Sequence, residues 1–539
     1  KKLGIVYTPI EVVDFIINSV EDILKKDFNR SLSNENINIL DPFVGTGTFI
    51  SRLLQSGNIN PEDLERKYKK EIFANEIVLL AYYIATVNIE NIYHDLNKET
   101  EYKEFEGICL TDTFQLGEDK EESQLIFNSF KENSERVKRQ KNAPLQIIFG
   151  NPPYTIGQKS ENDNAKNKKY PVLDKKIADT YVKNSNSNGK RALYDAYIKA
   201  FRWATDRLNR NNGGIIAFIT NNGWIDGAAT SGFRKTIEKE FSSIYILDLK
   251  GGITGKNGDL ARKEGGNIFD IKTGVCVTIL VKNFNGNKKK ADIFYYSVQD
   301  YLKKSEKLEI LKNNIMTSLN HNKISPNKED DWINQRNDKF YDFIPLIDKN
   351  NKNTFFTMGT RGVVTSRDSW VYSYSKFILE KNMKGTIDFY NSEVEKILDA
   401  RNKDKNINIE EIIDKNPENI SWSRDLKKKA NSYKLDKFDK NNIKISLFRP
   451  FVKQYLYFNK FWNECQYQQE KLKDYTILTN GISSAKEFSV LIVKNNMNYD
   501  LLEKANCYPL YYIENKKKKI GKSLFENSDE IKEENKKDG

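Results

Sequence analysis

Residues 38–49 read Asn-Ile-Leu-Asp-Pro-Phe-Val-Gly-Thr-Gly-Thr-Phe. A short apolar strand runs from Asn38 to Leu40, a turn follows with Gly45 and Gly47, and a helix is expected over Thr48–Gln55. The two glycines let the main chain turn sharply and pass close to a ligand. The helix start beyond them leaves free N–H groups. Strand, tight turn and helix in this order commit the chain to an α/β fold, because parallel strands need crossover connections that cover the sheet with helices. Two familiar nucleotide sites fail here. A dinucleotide turn needs a third glycine where Ile50 stands. A phosphate-binding loop needs Gly-Lys-Ser/Thr before the helix; Gly521-Lys522-Ser523 has it, but the glycine due five residues earlier is Lys516. The turn, with Asp41, Phe43, Gly45, Thr46, Gly47, Thr48 and Phe49, suits another nucleoside-bearing cofactor.

The same rhythm continues. Apolar residues Ile10, Val13, Ile16, Ile17, Val20 and Ile23 line one side of a helix that Pro9 opens. Short strands are expected at 72–75, 108–110, 145–149, 214–220, 244–249 and 275–282, with helices at 79–89 and 194–208. They predict a mostly parallel sheet covered on both faces. Glu76 stands one βα unit after the glycine turn, where a carboxylate can accept both ribose hydroxyls. Asp112 follows the next strand and could accept from an adenine amine. Residues 155–191 show almost no apolar periodicity and are expected to form a long polar loop.

Asn151-Pro152-Pro153-Tyr154 closes the 145–149 strand. Methylating an aromatic amine is hard because its lone pair is delocalised into the ring. Two acceptors that take both amine protons let the nitrogen become tetrahedral and aim that lone pair at a methyl donor. The Asn151 side-chain oxygen and the Pro152 carbonyl suit this role, Pro153 stiffens the turn, and Tyr154 offers a face for the base. An activated sulfonium donor needs neither a metal nor a covalent intermediate, so alignment carries most of the acceleration. A duplex base would have to swing out of its stack first. Carbon-5 cytosine chemistry would need a cysteine after proline, and none of Cys109, Cys276, Cys465 and Cys507 follows one. Four scattered cysteines and two histidines also argue against zinc or a disulfide framework, and no metal is expected. This fits a reducing cytoplasm. No apolar stretch of membrane-spanning length and no signal peptide is evident. The opening Lys-Lys-Leu-Gly, without Met and just ahead of Tyr7, reads as a fragment of a longer polypeptide.

Tyr7-Thr8-Pro9, then Asp41 to Phe49, Glu76, Asp112 and Asn151 to Tyr154, resembles the motif order of gamma-class amino-methyltransferases of DNA. The segments 75–85, 150–158, 193–204, 220–224 and 233–241 are similar to single-polypeptide type ISP restriction–modification enzymes. Phe448-Arg-Pro-Phe451 with Tyr455 is similar to a recurrent segment of their recognition region. The resemblance implies a Rossmann-like S-adenosylmethionine-dependent methyltransferase domain at 1–289 and a mixed α/β target-recognition domain at 290–513. It implies S-adenosylmethionine as donor, adenine N6 in double-stranded DNA as acceptor, and Tyr7, Thr8 and Pro9 packed over the methionine end of the cofactor. It further implies a nuclease and a helicase-like motor in the full-length polypeptide, with no signature of either here. N4-cytosine methylation, methylation of RNA or protein glutamine, and a catalytically idle DNA-recognition subunit are the alternatives.

Charge agrees with a polyanionic partner. The net charge is +12, yet residues 1–150 hold 18 Lys+Arg against 25 Asp+Glu, which leaves +19 for the remainder. Arg361 and Arg367, in a polar glycine-containing turn region, and Arg449 and Lys453, flanking the Phe-Arg-Pro-Phe segment, are the expected DNA contacts. Tyr372, Tyr455 and Trp462 are expected in the core. Residues 514–539 form a charged tail expected to be disordered.

Overall fold

The computed structural model describes residues 7–97, 101–118, 131–154, 170–185, 190–284 except 210 and 257, 290–464 except 336, 338, 340, 341, 349, 352, 405 and 406, 472–513 except 482, 483, 485, 486 and 495, and 536–538. The chain divides into two compact units, Lys1–Asn337 and Asp338–Gly539.

The first unit is built on nine strands: β1 (Asn38–Asp41), β2 (Ile72–Glu76), β3 (Ile108–Leu110), β4 (Leu145–Gly150), β5 (Gly214–Asn221), β6 (Ser243–Asp248), β7 (Val275–Lys282), β8 (Asp292–Ser297) and β9 (Asn322–Ile324). Their order in the sheet is β3-β2-β1-β4-β5-β7-β6-β8-β9. β7 runs antiparallel to both its neighbours and β9 antiparallel to β8; the other pairings are parallel. Neighbouring residues of one strand face opposite ways. Ile39, Ile147 and Ile215 join a core beneath the helix Ile10–Phe28, while Leu40, Ile148 and Ile216 join another with Ile198 and Phe201 of the helix Ala196–Arg207. With both faces covered, the central strands read as unbroken apolar runs. Each such side chain taken fully out of water contributes roughly 1.5–3 kcal/mol. Pro9 caps the first helix, and Asn29, at φ 51°, ends it.

Two expectations change here. A domain boundary near 289 is corrected: β8 and β9 extend the same sheet, and the compact units part after Asn337. The 155–191 loop is corrected in part: residues 155–169 and 186–189 lie outside the described residues, but Pro171–Val182 is helical. Its Leu173, Ile177 and Tyr181 recur every four residues and are buried.

The second unit holds two sheets. Its strands are β10 (Thr360–Arg361), β11 (Tyr372–Ser373), β12 (Ile443–Arg449), β13 (Val452–Tyr457), β14 (Leu472–Thr479), β15 (Val490–Val493), β16 (Asn496–Met497), β17 (Asn506–Ile513) and β18 (Lys536–Asp538). One sheet has the order β10-β17-β14-β15, with β18 also paired to β17; the other has the order β11-β13-β12-β16. The helix Lys376–Lys403 starts at Ser375, whose hydroxyl accepts from the Ile378 N–H at 3.3 Å. Leu379, Met383, Ile387, Tyr390, Val394 and Ile397 recur at three- and four-residue steps and pack on Leu456, Tyr457 and Trp462. Tyr372 and Trp462 lie in that core and Tyr455 packs against it. Of the expected disordered tail, only Lys536–Asp538 lies within the described residues, as β18.

Gly214 shows how closely β5 sits on β4: a methyl group there would come within 2.1 Å of the Gln146 carbonyl oxygen. The variant Gly214→Ala is expected to lose ~3 kcal/mol of unfolding free energy in urea titration, as other backbone clashes in a buried sheet do. A loss below about 0.5 kcal/mol would mean that β4 and β5 are not packed this tightly.

Candidate active site

Strands β1 and β4 lie side by side and parallel, with Leu40 opposite Ile148. Their carboxyl ends therefore deliver the glycine turn and the Asn-Pro-Pro-Tyr segment to one edge of the sheet. Contact at this point is intimate. A side chain at Gly150 would place its first carbon 2.7 Å from Asp41 Oδ1 and 3.8 Å from Pro42. A third segment joins them, since the Asn151 amide nitrogen donates to Thr8 Oγ1 at 3.1 Å. The sequence motifs at 7–9, 41–49 and 151–154 thus converge, although 143 residues separate Thr8 from Asn151. Tyr7 is exposed and Pro9 half-buried beside them.

The turn itself is fastened on three sides. Gly47, at φ +89°, lies so close to the helix Leu79–Asn97 that a side chain would meet the Ala85 main chain at 3.2 Å. The Val44 N–H donates to the Asn75 carbonyl at 3.0 Å, and the Asn88 amide donates to the Thr46 carbonyl at 2.9 Å. Thr113 Oγ1 donates to the Pro42 carbonyl at 2.5 Å and accepts from the Asn75 amide at 3.2 Å. Gly45, at φ +57°, faces open space: among the described residues nothing stands within 4 Å of where its side chain would be.

Two carboxylates stand at that turn. Glu76, at the end of β2, accepts from the N–H groups of Gly45 at 3.0 Å, Ile77 at 2.9 Å and Val78 at 2.7 Å. A carboxylate offers about four acceptor positions, so one remains. Burial raises the Glu76 pKa against the pull of those three donors. Asp41 is fully buried. Its Oδ1 accepts from the Phe43 N–H at 3.0 Å, while Oδ2 is buried with no hydrogen-bond partner among the described residues. Burial pushes its pKa up to about 8; the Phe43 N–H opposes the shift and the nearby Glu76 charge adds to it. A buried acceptor without a donor is costly unless a ligand supplies one, so these residues fit a ligand that brings hydrogen-bond donors or positive charge.

Other expected residues fare unevenly. Thr48 opens the helix Thr48–Gln55 directly after the turn. Phe43 lies half-buried between Phe114 and Phe218, with ring centroids at 5.6 and 6.5 Å. Phe49 is corrected from ligand contact to core, because it is buried and stacks on Phe149 at 5.3 Å. Asp112 already accepts from the Phe114 N–H at 3.1 Å and from the Tyr170 hydroxyl at 3.0 Å. An adenine amine would have to share this carboxylate with Tyr170. Pro152 is buried and Pro153 half-buried. Tyr154 is half-buried, its ring packs edge-on to Phe269 with centroids 6.3 Å apart, and its hydroxyl is buried without a partner among the described residues.

In the second unit Arg367 is corrected. It is buried, and its guanidinium donates to the Trp462 carbonyl at 2.7 Å and to Ser423 Oγ at 2.8 Å while lying over the Trp462 ring. It fastens the chain internally and cannot reach a phosphate. Arg449 is half-buried, bonded to the Phe448 carbonyl at 2.7 Å and to Asn498 Oδ1 at 3.2 Å. Arg361 and Lys453 are exposed. The sequence reading missed the link from Thr8 to Asn151, which only the fold brings together, and the Asn75–Thr113–Pro42 brace. Among the described residues, no group of three His, Cys, Asp or Glu is placed to hold a metal ion, and no helix is long and apolar enough to cross a membrane.

Comparison with known proteins agrees with this arrangement. Residues 63–253 match the Eco57I restriction-modification methylase family and residues 354–538 the Type ISP C-terminal specificity domain. Three solved structures are similar over nearly the whole chain. A nuclease-deletion mutant of the Type ISP enzyme LlaGI in complex with a DNA substrate mimic is 40% identical, with a TM-score of 0.82, over 94% of this chain and 42% of that one. The ATP-dependent Type ISP enzyme LlaBIII bound to DNA is 39% identical, with a TM-score of 0.81, over 99% and 35%. DrdV, in a DNA complex, is 36% identical, with a TM-score of 0.80, over 95% and 50%. The chain therefore spans half or less of the length of these proteins. No curated protein matches it.

The buried Asp41 gives the site a pH signature. Its carboxyl titrates near 3.8 when free and at about 8 when folded, so folding favours the protonated form. That contribution is complete below pH 3.8 and is lost as pH rises through about 8. Asp41→Asn is expected to denature at a higher urea concentration than the ligand-free wild type above this range, with an advantage that shrinks toward acid. A pH-independent difference would assign the carboxylate a charge partner.

Proposed function

The chain corresponds to the methyltransferase and target-recognition part of a type ISP restriction–modification enzyme, and from that premise we propose that it transfers a methyl group from S-adenosylmethionine to N6 of adenine at a specific sequence in double-stranded DNA. The observation that carries the reading is the position of Asn151: it emerges beside the glycine turn with its amide nitrogen engaged by Thr8.

That engagement has a chemical consequence. With the nitrogen committed to Thr8 Oγ1, the Asn151 oxygen is the end left to accept a proton from an amine. The Pro152 carbonyl is the second acceptor, and Pro153 holds the two in fixed relation. Together they draw the amine nitrogen toward tetrahedral geometry and aim its lone pair toward the open side of Gly45. Tyr154, next along the segment, is the ring on which the base stacks. S-adenosylmethionine supplies an electrophilic methyl group when bound. Gly45 and Gly47 make room for it, Glu76 takes a ribose hydroxyl, and the unpartnered Asp41 oxygen favours the positive end of such a ligand. Asp112 receives the adenine amine beside Tyr170. The unit through Asn337 performs the chemistry and the unit from Asp338 reads the site, working in the cytoplasm within a longer polypeptide that carries nuclease and helicase-like parts.

Plasmid DNA incubated with the protein and labelled S-adenosylmethionine, then digested to nucleosides, should yield N6-methyladenosine by mass spectrometry. N4-methylcytosine would redirect the acceptor, and no labelled base would remove the reading. Asn151→Ala should keep cofactor binding and lose methylation by ~10³-fold, the scale of removing one aligned polar group from a reacting centre. Thr8→Val, which frees the Asn151 amide to rotate, should lower turnover by roughly tenfold, with a smaller change in cofactor affinity.

A further inference from the structure

Phe451 is 88% exposed, more than any other large hydrophobic residue among those described. It occupies the two-residue turn, Pro450–Phe451, that joins β12 to β13, since Arg449 pairs with Val452. Its φ is +63°. Glycine or asparagine is the ordinary choice at such a position, and a bulky side chain there is strained. Neither packing nor backbone preference therefore accounts for a phenylalanine here, and strained residues of this kind gather at functional sites.

What lies around it narrows the role. β11 pairs antiparallel with β13, with Ser373 opposite Tyr455, so the chain leaving β11 runs toward Lys453 and the turn. Tyr374 and Phe377, exposed to 72% and 77%, thus stand at the same end of the sheet. Lys376 and Lys453 are exposed there too, and neither makes an ion pair among the described residues. Residues 421–460 carry eleven Lys and Arg against three Asp. The hairpin beneath the turn is stiff: the Arg449 guanidinium lies 4.2 Å over the Phe448 ring, and that ring packs at 4.9 Å from Tyr372. A rigid hairpin that lifts one ring among free cations complements a duplex, in which apolar wedges enter between base steps while cations hold phosphates.

We propose that Phe451 is an apolar wedge that enters the DNA between neighbouring base pairs, with Lys376 and Lys453 on flanking phosphates. The inference rests on the reading of this chain as a DNA methyltransferase and adds a residue by which its second unit deforms the duplex.

The test uses the full chain and a duplex containing the sequence found methylated in the plasmid experiment, with 2-aminopurine placed at successive positions apart from the modified base. Wild type should raise the emission several-fold at one step, where stacking is lost. Phe451→Ala should abolish that rise and weaken binding about tenfold, Phe451→Leu should retain part of both, and neither should alter the salt dependence of affinity. Lys453→Ala should instead reduce the salt slope by about one without moving the emission profile. Phe451→Gly, relieved of the turn strain, should unfold at a higher temperature while binding as poorly as Phe451→Ala. Unchanged emission and affinity in Phe451→Ala would overturn the wedge while leaving the methyltransferase reading intact, and would point to a protein partner for the exposed rings. A wild type that neither methylates nor binds DNA would remove both.

Discussion

The parallel pairing of β1 with β4 is the constraint on which the rest depends. Each strand ends in a segment with special chemistry, and the pairing sets those ends against each other with only a glycine between them. Gly150 is obligatory because any larger residue would drive into Asp41. The glycine turn and the Asn-Pro-Pro-Tyr segment are more than a hundred residues apart in sequence. They are neighbours because Leu40 and Ile148 share one buried face while Ile39 and Ile147 share the other. A one-residue slip in register would turn all four the wrong way and separate the segments. Packing of ordinary aliphatic side chains is thus what sets the geometry of the candidate site.

Having placed two carboxylates at that edge, the fold treats them differently. Glu76 is given three N–H donors and serves partly as structure, tying the turn to β2 and the start of the following helix. Asp41 is given one donor on one oxygen and, among the described residues, none on the other. The first arrangement stabilises a charge that is already satisfied, and the second leaves a demand unmet in the ligand-free protein. Such a demand lowers stability and raises affinity for whatever meets it, a familiar opposition between folding and function. Thr8 extends the same logic to Asn151. By engaging one end of a symmetric-looking amide it decides which end is left open, and no local preference of the Asn-Pro-Pro-Tyr segment could do that.

Much of this first unit was legible because its signals are local and dense. A strand, a glycine turn and a helix within twelve residues leave few alternatives, and Pro152-Pro153 can only be a rigid turn. What escaped was set by distant partners. The helix within Pro171–Val182 has three buried residues in a polar segment, and its apolar stripe is too narrow to stand out among lysines and asparagines. The antiparallel sense of β7 has no marker in a strand buried on both faces. The boundary near 289 follows the point where the alternation of strand and helix fades in the sequence, whereas the sheet continues through β8 and β9 before the unit closes. Phe49 was grouped with the ligand by adjacency to the turn, although its helix directs it into the core.

Arginine and phenylalanine in the second unit reverse their usual places, which explains why composition served poorly there. Arg367 was expected outside, but its fork satisfies the Trp462 carbonyl and Ser423 where the chain crosses itself, and lies on an indole face that excludes water. Its charge joins distant segments that lack a regular strand pairing at that point. Phe451 would be expected inside, yet it stands in solvent at a turn whose backbone disfavours it. A buried cation is costly unless every donor finds an acceptor, and an exposed ring gains nothing until something covers it. The first is therefore explained by contacts within the chain. The second gains little burial among the described residues, and the proposed insertion between base pairs would supply it.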